Sequence, residues 1–235
     1  MEHNKPSKKD RDFQYLMSVG LSGIKGPAYK VESIDINKKF LIICEGENTE
    51  PEYFKSFPVP TNIVEIHGGK NSKNSLVDYA IGLKNNKKYA DREIWCVFDY
   101  DIKPDEQATQ INDFNSSIKK AETNGLKVAW SNDCFELWFL LHDRYIDTCI
   151  TRNEIYDILK KEWKLKSFDK EGKSIAFCKK LYEKHGGNQS KMQTFAIDYA
   201  KKLHNLHGKN QFFSKHCPCT TVYQLVEELN KYLKL

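Results

Sequence analysis

Between residues 38 and 143 the chain alternates short, continuous apolar runs with amphipathic stretches. Lys39-Phe40-Leu41-Ile42-Ile43-Cys44 has no polar break after its first residue and stops at Glu45-Gly46. Such a run suits a strand buried on both faces, as in a parallel sheet. Residues 62–66, 93–98 and 126–130 repeat the signal and predict three more strands. Between them, residues 49–57, 75–87 and 104–122 space their apolar residues as helices do. Thr49 reads as the cap of the first helix, with Pro51 tolerated in its first turn. A further apolar helix is expected over 135–142.

Strands alternating with helices through short connections predict an α/β fold with a mainly parallel, four-stranded sheet flanked by helices. Beyond residue 145 the strand signal fades. Residues 151–164, 170–184, 190–207 and 220–235 read as helices, separated by Gly186-Gly187 and by 208–218. The expected organisation is an irregular arm over 1–37, an α/β core over 38–145, and a helical C-terminal appendage over 146–235 packed on that core.

Composition narrows the class but not the activity. The chain has 235 residues, 40% hydrophobic and 29% charged, as expected of a globular protein with a real core. No apolar run is long enough to cross a bilayer, and the first residues lack the apolar stretch of a secretory signal, so a cytoplasmic protein is expected. Seven irregularly spaced cysteines, several inside apolar runs, read as reduced thiols. The net charge of +5 permits a nucleic-acid partner without demanding one. Lys160, Lys161, Lys164 and Lys166 form one of several basic clusters, and each cluster reads first as a solvated helix face.

Candidate chemistry gathers at strand exits. Glu45 directly follows the first strand; Asp99 and Asp101 follow the third. Ligands of open α/β sheets bind beyond the carboxyl ends of the strands. In an Asp-x-Asp, alternate residues of an extended chain point the same way, so both carboxylates can face one site. Clustered carboxylates repel one another unless a cation neutralises them, and Mg²⁺ or Mn²⁺ suits such oxygen donors. The plainer reading is that acidic residues are common where strands run into solvated loops.

The segment FLIICEGENTEPEYF at 40–54 resembles the opening motif of the RloB family, and so do VFDYD at 97–101, SNDCFELWFLLH at 131–142 and TTVYQLVEEL at 220–229. RloB proteins are viewed as relatives of the Toprim fold of primases, topoisomerases and OLD-family nucleases. The resemblance implies that Glu45 is a metal ligand or acid/base and that Asp99 and Asp101 hold the metal. It also implies a role in bacterial antiviral defence beside an ATPase-type partner. The chain departs from the family's usual motifs at Asn132-Asp133-Cys134 and at Cys217-Pro218-Cys219-Thr220.

Secondary candidates surround these. Glu136, inside an apolar helix, needs a partner and is read as a further catalytic carboxylate. Glu50 could reach the metal or merely stabilise a helix start. Ser131, Asn132 and Lys70 could contact phosphate, the last beside Gly68-Gly69. His204, His207, His216, Cys217 and Cys219 leave a zinc site open against an ordinary loop. The expectation is a Mg²⁺-dependent nuclease of the Toprim type, with no membrane partner. A non-catalytic metal-binding or regulatory subunit working with a partner ATPase is the alternative.

Overall fold

A computed structural model describes residues 38–69, 72–101, 107–184, 191–208, 210 and 212–233. The arm expected over 1–37, Lys70 and the expected helix start at 104–106 lie outside these residues. The four expected strands form as β1 (Lys39–Cys44), β2 (Val64–His67), β3 (Arg92–Asp99) and β4 (Lys127–Asn132). They lie parallel in the order β2-β1-β3-β4.

The sheet is larger than the apolar pattern predicts. Cys219–Thr220 forms β5, antiparallel to β4, and makes it five-stranded. Two residues carry no readable period. The strand exists because of its partners: Thr221 N–H donates to the Trp130 carbonyl (2.8 Å) and Trp130 N–H donates to Thr221 Oγ1 (2.9 Å).

Alternation along each strand sorts the core into two layers. Phe40, Ile42, Cys44, Trp95, Val97 and Ala129 join one cluster. This face is covered by α1 (Thr49–Lys55), α4 (Glu136–Leu140), α5 (Arg152–Glu162), α6 (Ile175–Lys184), α7 (Lys191–Leu206) and α8 (Val222–Asn230). Leu41, Ile43, Cys96, Phe98 and Trp130 face the other way, against α2 (Lys73–Lys84) and α3 (Gln107–Thr123). Burial on both faces is why β1 and the inner part of β3 are apolar rather than alternating, whereas the edge strand β2, only partly buried, carries Glu65 and His67.

Residues Ile36–Leu235 make one compact unit. The helices beyond residue 145 join the same buried cluster as one face of the sheet through Ile155, Leu159, Leu203 and Leu225. The stretch expected to begin a helix at 170 instead holds a π-turn, Phe168–Gly172, before α6. Among the described residues no helix is long and apolar enough to cross a membrane.

Candidate active site

From β1 the chain steps to β2 on one side and then crosses back over β1 to β3 on the other, which makes the gap between the ends of β1 and β3 the switch point of the sheet. Glu45 leaves β1 there, with its N–H on the Val97 carbonyl (2.9 Å). Asp99 is the last residue of β3. Asp101 follows with a left-handed φ of 34°, its N–H on the Asp133 carbonyl (3.0 Å). A non-glycine residue held at positive φ is strained, a condition that gathers at functional sites.

A cleft of about 280 Å³ opens at this point. Its lining includes six carboxylates, Glu45, Glu47, Glu50, Asp99, Asp101 and Glu136, against two cations, Arg152 and Lys173. The acids differ in environment. Asp99 is 8% exposed, and burial drives its carboxyl well above the usual range. Glu50 and Glu136 add to that rise, while Arg152 and the Phe135 N–H oppose it. Its Oδ1 is buried without a hydrogen-bond partner among the described residues. Glu45 is held by Lys73 (Nζ to Oε1, 3.2 Å) and accepts from the Asp99 N–H (3.4 Å). Burial still raises its pKa, with Lys73 pulling the other way.

Glu50, which the sequence left between a metal contact and a helix start, lines the cleft. It is 6% exposed, and its pKa is pushed up to about 7, first by burial and then by Glu136 and Glu45. Glycine at position 46 makes room for it, because a Cβ there would stand 2.2 Å from Glu50 Oε2. Glu136, 3% exposed, accepts from Thr49 Oγ1 (3.4 Å) and the Tyr156 hydroxyl (3.2 Å). That bond corrects the reading of Thr49 as a helix cap. The N-cap of α1 is Asn48, which makes no side-chain cap, and the Thr49 hydroxyl reaches into the cleft instead.

Arg152, Tyr156, Lys73 and Lys173 have no signal in the sequence pattern. Arg152 reaches Asp101 Oδ2 at 2.9 Å and Asp99 Oδ2 at 3.7 Å. Burial works against its charge, but the two aspartates hold it firmly protonated. Lys173 lies over the Tyr156 ring (5.1 Å) and pairs with Asp169 (2.7 Å). These side chains come from elements other than those that carry the acids they face, so no local spacing reveals them.

Other candidates sit elsewhere. Ser131 bonds Thr220 Oγ1 (2.9 Å) and is fully buried; Asn132 Nδ2 donates to the Ser214 carbonyl (3.1 Å). Neither lines the cleft. The Gly69 N–H is spent on the Gly46 carbonyl (3.1 Å), so the glycine pair packs against the Glu45 loop. His216 stacks on His207 (4.6 Å), and burial with His207 pushes it down to about 4, a neutral ring. All seven cysteines are free.

A family model described as RloB-like protein matches residues 40–229. The chain belongs to the RloB-like family. No curated protein and no solved structure matches it. The matched span takes in every acid of the cleft, and Arg152, Tyr156 and Lys173 as well.

The donor set of this RloB-like cleft fits a hard divalent cation. It is all oxygen, carries more negative than positive charge, and contains the orphaned Asp99 Oδ1. Among the described residues, however, no three Asp, Glu, His or Cys side chains stand grouped so as to hold a metal ion as they are. Arg152 supplies the counter-charge that the aspartates have here.

Proposed function

We propose that this cleft is a Toprim-type phosphodiesterase site that hydrolyses nucleic acid with Mg²⁺ or Mn²⁺, in the setting of antiviral defence. The observation that carries the proposal is the convergence of Glu45, Glu50, Asp99, Asp101 and Glu136 at the switch point of the sheet, with one oxygen of Asp99 left unpartnered. The defence setting follows from the family resemblance alone.

Glu45, Asp99 and Asp101 would hold the ion, which would supply polarisation of a phosphoryl oxygen and neutralise charge developing on it. The remaining work belongs to the chain. Glu50, with a pKa near 7, is poised to take or give a proton at neutral pH, where acid–base catalysis is most effective. Lys73 opposes the rise that burial imposes on the Glu45 carboxyl. Tyr156 and Thr49 fix the orientation of Glu136. Lys173 lines the cleft, where it can attract a phosphate.

One observation favours a second reading. Arg152 spans Asp99 and Asp101, so the pair is neutralised without any metal. A regulatory subunit beside a partner ATPase would have use for such a permanently quenched site. Cleavage assays on transfer RNA, single-stranded RNA and single- and double-stranded DNA, with Mg²⁺ or Mn²⁺, separate the two. Metal-dependent cleavage lost in Glu45→Gln and Asp99→Asn supports the nuclease. No cleavage of any substrate by the wild type refutes it.

A further inference from the structure

The acidic cleft has a difficulty as a site for a polyanion: its own carboxylates repel the substrate it would cut. Beyond Lys173, attraction has to come from residues outside the cleft. Tyr156 lines the cleft and also a second depression, which it shares with Asn153, Lys160 and Lys166 and with the acids Asp157 and Asp169, the latter paired with Lys173. Lys160 and Asp157 in turn line a third depression, with Lys161 and Lys164. The three share lining residues and follow one another from the cleft along α5 and the π-turn after it, a groove that beyond the cleft has four lysines against two acids.

The charges along this groove are available. Lys160, Lys161, Lys164 and Lys166 are all exposed, and none makes an ion pair among the described residues. A solvated helix end explains part of this, since lysines complement the negative C-terminus of a helix. It does not explain Lys164. That residue has φ 53°, in the left-handed region where glycine ends helices at least cost. The helix end is already closed by main-chain bonds, Leu165 N–H to the Lys160 carbonyl (2.9 Å) and Lys164 N–H to the Lys161 carbonyl (3.3 Å). The backbone at 164 therefore asks for glycine, and the lysine side chain is carried at a conformational cost.

We infer that the groove bearing Lys160, Lys161, Lys164 and Lys166 is the track on which a nucleic-acid backbone approaches the cleft. The inference deepens the phosphodiesterase reading and rests on it for what lies at the end of the track. Phosphates take the lysine positions, and the strand passes Tyr156 and Lys173 to reach the acids. The contact is to backbone charge, so it is insensitive to sequence and sensitive to salt.

The test is binding of a short labelled single-stranded oligonucleotide, DNA in one arm and RNA in the other. It is followed by fluorescence anisotropy over a range of KCl concentrations, in an Asp99→Asn background that keeps the probe intact. Replacing all four lysines by Gln lowers the slope of log K against log salt by up to about 2.8, since each phosphate contact on a single strand contributes about 0.7. Affinity at moderate salt falls by roughly tenfold or more. Gln at Lys87 and Lys119, exposed lysines outside the groove, changes neither quantity. Lys164→Gly separates the track from a structural role: it raises the Tm and weakens binding together. An unchanged slope, an equal loss in the control variant, or no binding by the starting protein overturns the track. Binding that depends on these lysines without cleavage by the wild-type chain under either metal supports the track and refutes the nuclease.

Discussion

Glu50→Gln gives the most direct access to the electrostatics of the cleft. A glutamate ordinarily titrates at 4.5; here burial and the neighbouring Glu136 and Glu45 push it up to about 7. The folded state thus holds a proton that the unfolded state releases. Below pH 4.5 both states are protonated and the residue costs nothing. As pH rises toward 7 the unfolded chain ionises first, so folding loses stability across that window and does not regain it above. Each pH decade of displacement is worth about 1.4 kcal/mol, so the penalty at pH 8 is about 3 kcal/mol. Glutamine keeps the shape of the neutral acid and cannot ionise. The variant is expected to be more stable than wild type by up to about 3 kcal/mol at pH 8, or roughly 6–12 °C in Tm for a domain of this size. The gain shrinks as pH falls to 5, and cleavage is lost. Urea unfolding of both proteins at pH 5, 6, 7 and 8 measures it. A stability gap that stays flat with pH, or a variant less stable than wild type at pH 8, refutes this account of Glu50.

Three further substitutions probe its neighbours. Arg152→Gln leaves Asp99 and Asp101 without their counter-charge and is expected to cost about 1–3 kcal/mol. Part of that cost should return on adding Mg²⁺ or Mn²⁺, giving a larger metal-induced rise in Tm than in wild type. Lys73→Met removes the ion pair that opposes the burial of Glu45, so the acidic limb of the kcat/KM–pH profile should move to higher pH. Gly46→Ala places a methyl group where the Glu50 carboxyl lies, and should abolish cleavage at a stability cost of about 1–3 kcal/mol, read by parallel activity and unfolding assays.

The strands were legible because a buried parallel sheet demands unbroken apolar runs, and few other structures do. Glu45 and Asp99 were legible for the same reason: polar residues that end such runs lie at the strand exits. Glu50 was open to the plainer reading, because an acid in the first turn of a helix commonly serves the helix dipole. Only the packing of Gly46 and the approach of Glu136 make it a buried acid. β5 left no trace, since its two residues pair through contacts that lie about ninety residues apart in sequence. Ser131 and Asn132 were correctly placed at a strand exit, but β5 and the Ser214 carbonyl claim their side chains.

The division between readable and unreadable residues has a physical basis. The acids sit where the chain's local pattern changes, at the ends of strands. What sets their charge arrives from other elements: Lys73 from α2, Arg152 and Tyr156 from α5, Lys173 from the segment before α6. α5 is fixed by a capping box, Thr151 N–H donating to Glu154 Oε2 (2.8 Å) and Thr151 Oγ1 accepting from the Glu154 N–H (3.4 Å). That box determines where Arg152, the first residue of the helix, enters the cleft. The ring of Phe168 packs at 4.7 Å from that of Tyr156, and a Cβ at Gly172 would strike it, so the π-turn fixes the far wall. A strand exit can thus supply carboxylates to a cleft, but their titration is set by burial and by partners that later elements bring in, Lys73 from α2 and Arg152 from α5 among them.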